Sequence, residues 1–186
     1  SRVDFFQWPA LAQEVTAATW PEHCEGRSLR CFRSYSLRQG DQLLALGRTQ
    51  WAVLGEKGRL IPFAQSGFPE DFPFVEREGI TEAPARFRDD LLPEELVQRH
   101  TVRSTDIDMG RHMNNVAYVR LLLDCFPASV LADGKIASME VHYAAPCLEG
   151  EELSVLCRRE GGICRMAVRK PDGKTAVLAA VRFHEK

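Results

Sequence analysis

The residues best suited to chemistry lie together in one stretch, TDIDMGRHMNNVAY, which spans positions 105–118. Two carboxylates, an imidazole and two carboxamides are packed into it, and an apolar run, VAYVRLLLDCF, overlaps its end. A carboxylate and an imidazole that lie side by side can activate water or a thiol for nucleophilic attack. We therefore take Asp108 and His112 as candidate catalytic residues.

The apolar run predicts a helix from Val116 to about Leu131, because its apolar residues recur at helical spacing. Asn114 or Asn115 can cap the first turn with a short side-chain oxygen. Unpaired N–H groups and the macrodipole at such a helix start can stabilise an oxyanion. Pro127 lies late in the pattern and predicts a kinked or displaced helix end.

The rest of the chain reads mainly as short strands separated by turn signals. The predicted strands cover residues 3–8, 13–20, 28–37, 43–54, 97–105, 136–145, 152–158, 163–169 and 175–183, with a hairpin turn at 170–173. Residues 55–96 are rich in proline and acidic residues, which predicts a linker.

The strands repeat one plan. If Pro9 is placed on Pro146, QWPALAQEVTAATW lies over AAPCLEGEELSVLC without a gap, and Cys31 falls near Cys164. One helix followed by antiparallel strands predicts an α+β unit in which a sheet wraps around a helix. Because Ser1 then falls opposite Ser138, the first copy is expected to lack its opening strand and helix.

Composition excludes several classes of protein. The net charge is −2 and no basic block occurs, which argues against nucleic-acid binding. No run of 18 apolar residues predicts a membrane span, and the N-terminus is unlike a signal peptide. The six cysteines form no CxxC pair, which argues against structural zinc and favours free thiols in a reducing cytoplasm.

The polar stretch resembles the signature of a known family. The pattern D-x-D-M-x-x-H-x-N-N-x-x-Y, at 106–118, is similar to that of the acyl-acyl carrier protein (acyl-ACP) thioesterases, which are double hotdog enzymes. VTAATWP at 15–21, RTQWAVL at 48–54 and LIP at 60–62 resemble other family segments. The resemblance implies a tandem hotdog with a partial first unit at 1–54, a linker at 55–96 and a complete second unit at 97–186.

The resemblance also implies a site within the second unit. Its catalytic candidates are Asp108, His112 and Cys147, and its substrate-binding candidates are Asn114, Asn115 and Gly110. Two residues depart from the family pattern, since Gly110 replaces an asparagine and Pro146 replaces the glutamate of plant members. Gly110 is alternatively a turn residue with positive φ. Because those partners of a cysteine nucleophile are absent, we favour water activated by Asp108 and His112 over attack by Cys147.

The expected function is hydrolysis of fatty acyl thioesters, with acyl-ACP as the preferred substrate and free fatty acid as the product. Hydrolysis of acyl-coenzyme A, and acyl-thioester binding without turnover, remain alternatives. No metal or organic cofactor is expected, and a homodimer is left open. Five basic residues of the last strands either dock an acidic carrier protein or form a solvated face. They are Arg158, Arg159, Arg165, Arg169 and Lys170.

Overall fold

The computed structural model describes residues 1–184, and the chain divides into two compact units. Unit 1 comprises Ser1–Ala83 and unit 2 comprises Pro84–Lys186. The segment predicted as a linker, 55–96, is therefore divided between the two units.

Unit 1 is built on a four-stranded antiparallel sheet in the order β2-β3-β4-β1. Its residues contain no α-helix. The alternation of strand side chains gives the sheet one face on which Leu44 and Leu46 are buried. The strands are β1 (Arg2–Phe5), β2 (Thr16–Pro21), β3 (Arg30–Gln39) and β4 (Gln42–Ala52).

Unit 2 contains a five-stranded antiparallel sheet in the order β5-β7-β8-β9-β6 and two helices. Its last four strands follow the same order as the four strands of unit 1, which confirms the tandem fold predicted from the repeat. The elements are β5 (Leu96–Thr101), α1 (Asn115–Leu123), α2 (Ala128–Ala132), β6 (Ile136–Tyr143), β7 (Glu152–Glu160), β8 (Ile163–Arg169) and β9 (Thr175–Phe183).

One face of the unit 2 sheet packs against the helical segment. Tyr118 of α1 contacts the ring of Tyr143 on β6, and Phe126 contacts the ring of Phe183 on β9. Alternate residues of the inner strands are fully buried on this face, as the two-residue period of a strand requires. They include Val155, Cys164, Met166, Val168, Val177 and Val181.

The predicted helix over 116–131 is two helices in the structure. Helix α1 ends at Leu123, and Pro127 is the N-cap of α2. Proline has no N–H to donate, and its ring clashes with the carbonyl four residues earlier, which here belongs to Leu123. The displaced helix end therefore follows from Pro127, as the sequence indicated.

The opposite face of the unit 2 sheet is covered by residues 84–95, which we call the strap. Ala85 donates its N–H to Glu140 on β6 at 2.8 Å, and the Phe87 ring lies against His142 with 4.5 Å between centroids. Further along, Leu91 is buried in a cluster with Leu156 and Ala167. The strap therefore crosses the sheet from β6 to β7.

Ion pairs fasten the second half of the strap to the sheet. Asp89 accepts two hydrogen bonds from the Arg169 guanidinium, at 2.5 and 2.9 Å, and one from Thr175. The hydrogen bond from Arg169 lowers the pKa of Asp89 below its usual value, although burial opposes this effect. Glu95 receives a similar bidentate bond from Arg158 at 2.5 and 2.9 Å.

We predict that Asp89→Asn destabilises the protein at neutral pH, because it breaks a partly buried bidentate ion pair worth about 1–2 kcal/mol. Since the pKa of Asp89 is lowered in the folded state, its contribution is complete above the unfolded-state pKa of about 3.9. The contribution disappears as the pH falls through the folded-state pKa. Urea unfolding measured between neutral and acidic pH should show the two stability curves converging.

Asp133→Asn is the matched control, because Asp133 pairs with Lys135 at a half-exposed position. Exposed pairs contribute little, so this variant should unfold at nearly the wild-type urea concentration. An Asp89→Asn protein as stable as the control at neutral pH would contradict the role assigned to the strap.

Candidate active site

The polar stretch folds into a tight hairpin that directly precedes α1. Ile107 and Met113 pair across it as an antiparallel bridge, and the Asp108 N–H donates to the carbonyl of His112 at 3.1 Å. The loop at its tip contains Met109, Gly110 and Arg111. Residues 108 and 112 therefore lie opposite each other, which brings the two catalytic candidates together without any helix between them.

Asp108 and His112 are adjacent but not directly hydrogen bonded. Asp108 Oδ1 lies 3.8 Å from His112 Nδ1, and both side chains are partly exposed. The same oxygen accepts the N–H of Gly110 at 2.8 Å, which fixes the carboxylate in the turn. The two polar atoms are therefore close enough to interact electrostatically but too far apart for a direct hydrogen bond.

The loop does not place positive φ where the sequence suggested it. Gly110 lies outside the left-handed region, and Arg111 occupies that region with φ of 62°. A three-residue hairpin loop favours a type I turn followed by one left-handed residue, and here that residue is Arg111. The prediction that Gly110 has a positive φ is therefore wrong.

Gly110 instead leaves space for the imidazole. A Cβ at this position would lie 2.9 Å from His112 Nε2 and 3.0 Å from Asp108 Oδ1. Both distances are too short for ordinary packing, so a side chain at position 110 would require the His112 ring to move. The glycine thus permits the observed approach of His112 to Asp108.

A second carboxylate–imidazole pair anchors the hairpin to the sheet. His100 Nε2 on β5 lies 2.8 Å from Asp106 Oδ2, and the backbone N–H of Arg103 donates to the same oxygen at 2.8 Å. Burial raises the pKa of Asp106, but these hydrogen bonds outweigh it and lower the pKa below its usual value. The Asp106 carbonyl also accepts the N–H of Asn114 at 2.7 Å, so Asp106 connects β5 to the start of α1.

The sequence does not single out His100 as a candidate, because its partner Asp106 lies six residues away in a different element. A polar side chain at the end of a strand is ordinary, and nothing in the local pattern marks this one. The turn after β5 brings the Asp106 carboxylate next to the His100 ring, and this contact is visible only in the tertiary structure.

The start of α1 is capped by Asn114, whose side chain accepts the N–H of Val116 at 2.7 Å. Asn115 is the first helical residue, and its carbonyl accepts the Tyr143 hydroxyl at 3.4 Å. Among residues 1–184, no group accepts a hydrogen bond from the backbone N–H of Asn115 or of Ala117. The first turn therefore has donors that a substrate carbonyl could use.

Cys147 lies next to the hairpin, but its side chain is fully buried. Its carbonyl accepts the N–H of Met113 at 2.8 Å, and its N–H donates to the Tyr118 hydroxyl at 3.0 Å. Burial raises the pKa of the thiol, although the Tyr118 hydroxyl and the charge of Lys170 lower it in part. The structure thus brings Cys147 close to the hairpin as an uncharged, enclosed thiol. Pro146 precedes it, and the Pro146 carbonyl accepts from Lys170 at 2.8 Å.

The basic residues considered for carrier docking are already engaged within unit 2. Arg158 and Arg169 bind acidic residues of the strap, and Arg165 pairs with Asp90 at 3.2 Å. Lys170 pairs with Glu151 at 3.1 Å, and Arg159 lies over the rings of Phe126 and Phe183. These five residues therefore do not form a free basic surface.

In the part of the chain that the structure describes, no group of three or more His, Cys, Asp or Glu side chains is arranged to hold a metal ion. None of the described helices is long and apolar enough to cross a membrane.

A model of a known protein family, the acyl-ACP thioesterase C-terminal domain, matches residues 91–185. The chain belongs to the acyl-ACP thioesterase family. The matched range contains the hairpin, α1 and the whole sheet of unit 2, so the family assignment rests on the part of the chain that carries the candidate site.

The curated relatives are distant plant members of the family. The oleoyl-acyl carrier protein thioesterase of Coriandrum sativum is 21% identical over 169 residues, covering 85% of this chain and 45% of the relative. The palmitoyl-acyl carrier protein thioesterase of Gossypium hirsutum is 21% identical over 196 residues, covering 97% of this chain and 48% of the relative. The chain therefore spans about half the length of the curated relatives it matches.

Solved structures of the family share the hotdog fold of this chain. An acyl-ACP thioesterase from Bacteroides thetaiotaomicron superposes with a TM-score of 0.83 at 23% identity, covering 98% of this chain and 74% of that one. The 12:0-ACP thioesterase from Umbellularia californica gives a TM-score of 0.77 at 17% identity, covering 100% and 73%. Both confirm the tandem hotdog architecture.

We predict that Gly110→Ala moves the His112 ring away from Asp108, because the added Cβ would lie only 2.9 Å from Nε2. The imidazole proton resonances of His112 should shift in NMR spectra. The melting temperature should change little, since both side chains are partly exposed and Gly110 does not need positive φ. Gly162→Ala serves as the control, because a Cβ there meets nothing within 4 Å. Unchanged His112 resonances in Gly110→Ala would contradict this account of the glycine.

Proposed function

We propose that this protein hydrolyses fatty acyl thioesters, with acyl carrier protein as the thiol carrier and free fatty acid as a product. One observation carries the proposal: Asp108 and His112 face each other across a hairpin that leads directly into a capped helix. The named activities of the relatives support the same chemistry. Their whole chains are about twice as long as the matched part.

In the proposed reaction, His112 removes a proton from water while Asp108 orients the imidazole and the water and stabilises the positive charge that develops on the ring. The hydroxide adds to the thioester carbonyl and forms a tetrahedral oxyanion. The N–H groups of Asn115 and Ala117, aided by the helix dipole, hydrogen bond to that oxyanion. The intermediate then collapses, the carbon–sulfur bond breaks, and the His112 proton is returned to the departing thiolate.

Asn114 and Gly110 act indirectly in this proposal. Asn114 caps α1 and thereby fixes the direction of the free N–H groups. Gly110 leaves room for the imidazole beside Asp108. Asn115 contributes its backbone N–H rather than its exposed side chain.

The burial of Cys147 supports water as the nucleophile. A thiol with a raised pKa is protonated at neutral pH, and the thiolate is the nucleophilic form. Attack by this sulfur would also require the surrounding core to open.

A second function, acyl-thioester binding without turnover, is favoured by a specific observation. Position 110 has no carboxamide, position 146 has no carboxylate, and the Asp108–His112 contact is too long for a direct hydrogen bond. Acyl-coenzyme A is the alternative substrate for the enzyme.

We further propose a reducing, cytoplasmic location, which is supported by six cysteines that are all free.

We predict that the purified protein releases thiol from acyl-ACP, and that Asp108→Asn and His112→Ala each lower kcat on the order of a hundredfold or more. A panel of acyl-ACP and acyl-coenzyme A substrates of several chain lengths, assayed with a thiol reagent, measures this. Asp133→Asn should retain the wild-type rate. Tight binding of the panel without thiol release would favour the non-catalytic function, and release unaffected by both substitutions would show that the site lies elsewhere.

For Cys147→Ala we expect kcat within a few-fold of the wild-type value, because water rather than sulfur attacks the carbonyl. The melting temperature should fall, since the substitution removes a fully buried atom from the core. Loss of turnover in a variant that still shows a cooperative unfolding transition would identify the thiol as the nucleophile.

A further inference from the structure

Arg111 has a backbone conformation that its residue type disfavours. Its φ of 62° is in the left-handed region, and Ala12 is the other non-glycine residue within 1–184 that shares it. This loop position favours glycine, which has no Cβ to clash with the backbone. Strained residues of this kind are found at functional sites, where the side chain has a use that outweighs the strain.

The side chain of Arg111 is exposed and has no hydrogen-bond or ion-pair partner among the described residues. In contrast, Arg158 and Arg169 are held by acidic residues of the strap. Arg111 is therefore a free cation at the tip of the catalytic hairpin. Its loop neighbour Met109 is also fully exposed, so the tip of the hairpin faces solvent.

The sequence position of Arg111 relates it to the proposed reaction. Arg111 directly precedes His112, whose ring faces Asp108, while Arg111 itself extends into solvent. When the thioester carbonyl lies at His112, the carrier attached to its sulfur must extend from the site into solvent. The first fixed anion on that carrier is a phosphate, in carrier protein and in coenzyme A alike. The planar guanidinium matches phosphate oxygens with paired hydrogen bonds.

We propose that Arg111 binds the phosphate of the phosphopantetheine arm through which the acyl group is attached to its carrier. The inference rests on the proposed thioesterase function and adds to it a binding residue for the carrier arm. In this proposal the contact made by the guanidinium outweighs the cost of the left-handed conformation that the hairpin imposes on residue 111. The contact acts in binding and takes no part in bond making or breaking.

Binding measurements test the contact without relying on turnover. Calorimetric titration compares 4′-phosphopantetheine with pantetheine, which lacks only the phosphate. Wild-type protein should bind the phosphorylated compound more tightly. Arg111→Ala should weaken that binding about tenfold, the loss expected for a charged hydrogen-bonded pair, and leave pantetheine binding unchanged. Arg111→Lys keeps the charge but not the paired donors, so its affinity for 4′-phosphopantetheine should lie between those of the wild-type protein and Arg111→Ala.

Two variants separate strain from charge. Arg111→Gly should lose phosphate binding as Arg111→Ala does, yet melt at the same temperature as wild type or higher, because glycine tolerates positive φ. Arg27→Ala controls for net charge, since the Arg27 side chain is 90% exposed and lies in unit 1. It should bind 4′-phosphopantetheine as wild type does.

Kinetics identify the source of the phosphate. Arg111→Ala should raise KM about tenfold, with kcat unchanged, for acyl-ACP, for acyl-coenzyme A or for both. The substrate affected shows which phosphate is bound. Acyl N-acetylcysteamine has a thioester but no phosphate, so its kinetics should not change.

Several outcomes would overturn the proposal. The first is equal affinity of the wild-type protein for pantetheine and 4′-phosphopantetheine. The second is a lower kcat of Arg111→Ala for acyl N-acetylcysteamine, which would mean that Arg111 shapes the hairpin. The third is inhibition of acyl-ACP hydrolysis by carrier protein without its arm, if that inhibition depends on Arg111, which would mean that Arg111 contacts the surface of the carrier protein. If wild-type protein hydrolyses no thioester, the thioesterase function fails while the titrations still decide the phosphate contact.

Discussion

The pairing of residues 106–108 with residues 112–114 is the constraint on which the candidate site depends. Hydrogen bonds from Asn114 to Asp106 and from Asp108 to His112 close the hairpin on both sides of the Ile107–Met113 bridge. The carboxylate and the imidazole are opposed because the backbone pairs in this register. The same pairing places Asn114 at the N-cap of α1, so one short element positions both the proposed acid–base groups and the N–H groups at the start of the helix.

The hairpin is in turn held by the sheet of unit 2. Met113 donates to the carbonyl of Cys147, and Asp106 accepts from His100 at the end of β5. The buried Cys147 thus contributes its backbone to the site, while its sulfur fills the core. This packing role is consistent with the proposal that water, rather than the Cys147 thiol, is the nucleophile.

Charge is distributed unevenly over unit 2. The arginines on the outer face of β7 and β8 are neutralised by the strap, which also buries Leu91 against the sheet. Arg111, at the hairpin tip, has no such partner among the described residues. The ion pairs of the strap serve the fold, whereas the free cation lies beside the groups proposed for chemistry.

The sequence by itself determined what depends on local spacing. It predicted strands at 163–169 and 175–183 with the bounds that the structure shows, the cap before α1, and the tandem α+β plan. Three signals are local in the sequence and need no tertiary contact to be recognised. They are the alternation of strand side chains, the helical period and the resemblance of the polar stretch to the family signature. The break after Leu123 was also signalled, by Pro127.

The tertiary structure decided what depends on partners far apart in the chain. Asp89 meets Arg169 and Glu95 meets Arg158 only because the strap crosses the sheet. Acidic residues predicted to lie in a linker therefore neutralise arginines that were predicted either to dock a carrier protein or to form a solvated face. Burial of the Cys147 thiol likewise needs the whole core around it. Arg111, and not Gly110, adopts the left-handed conformation. The register of the hairpin, rather than the residue type, determines which loop position has positive φ.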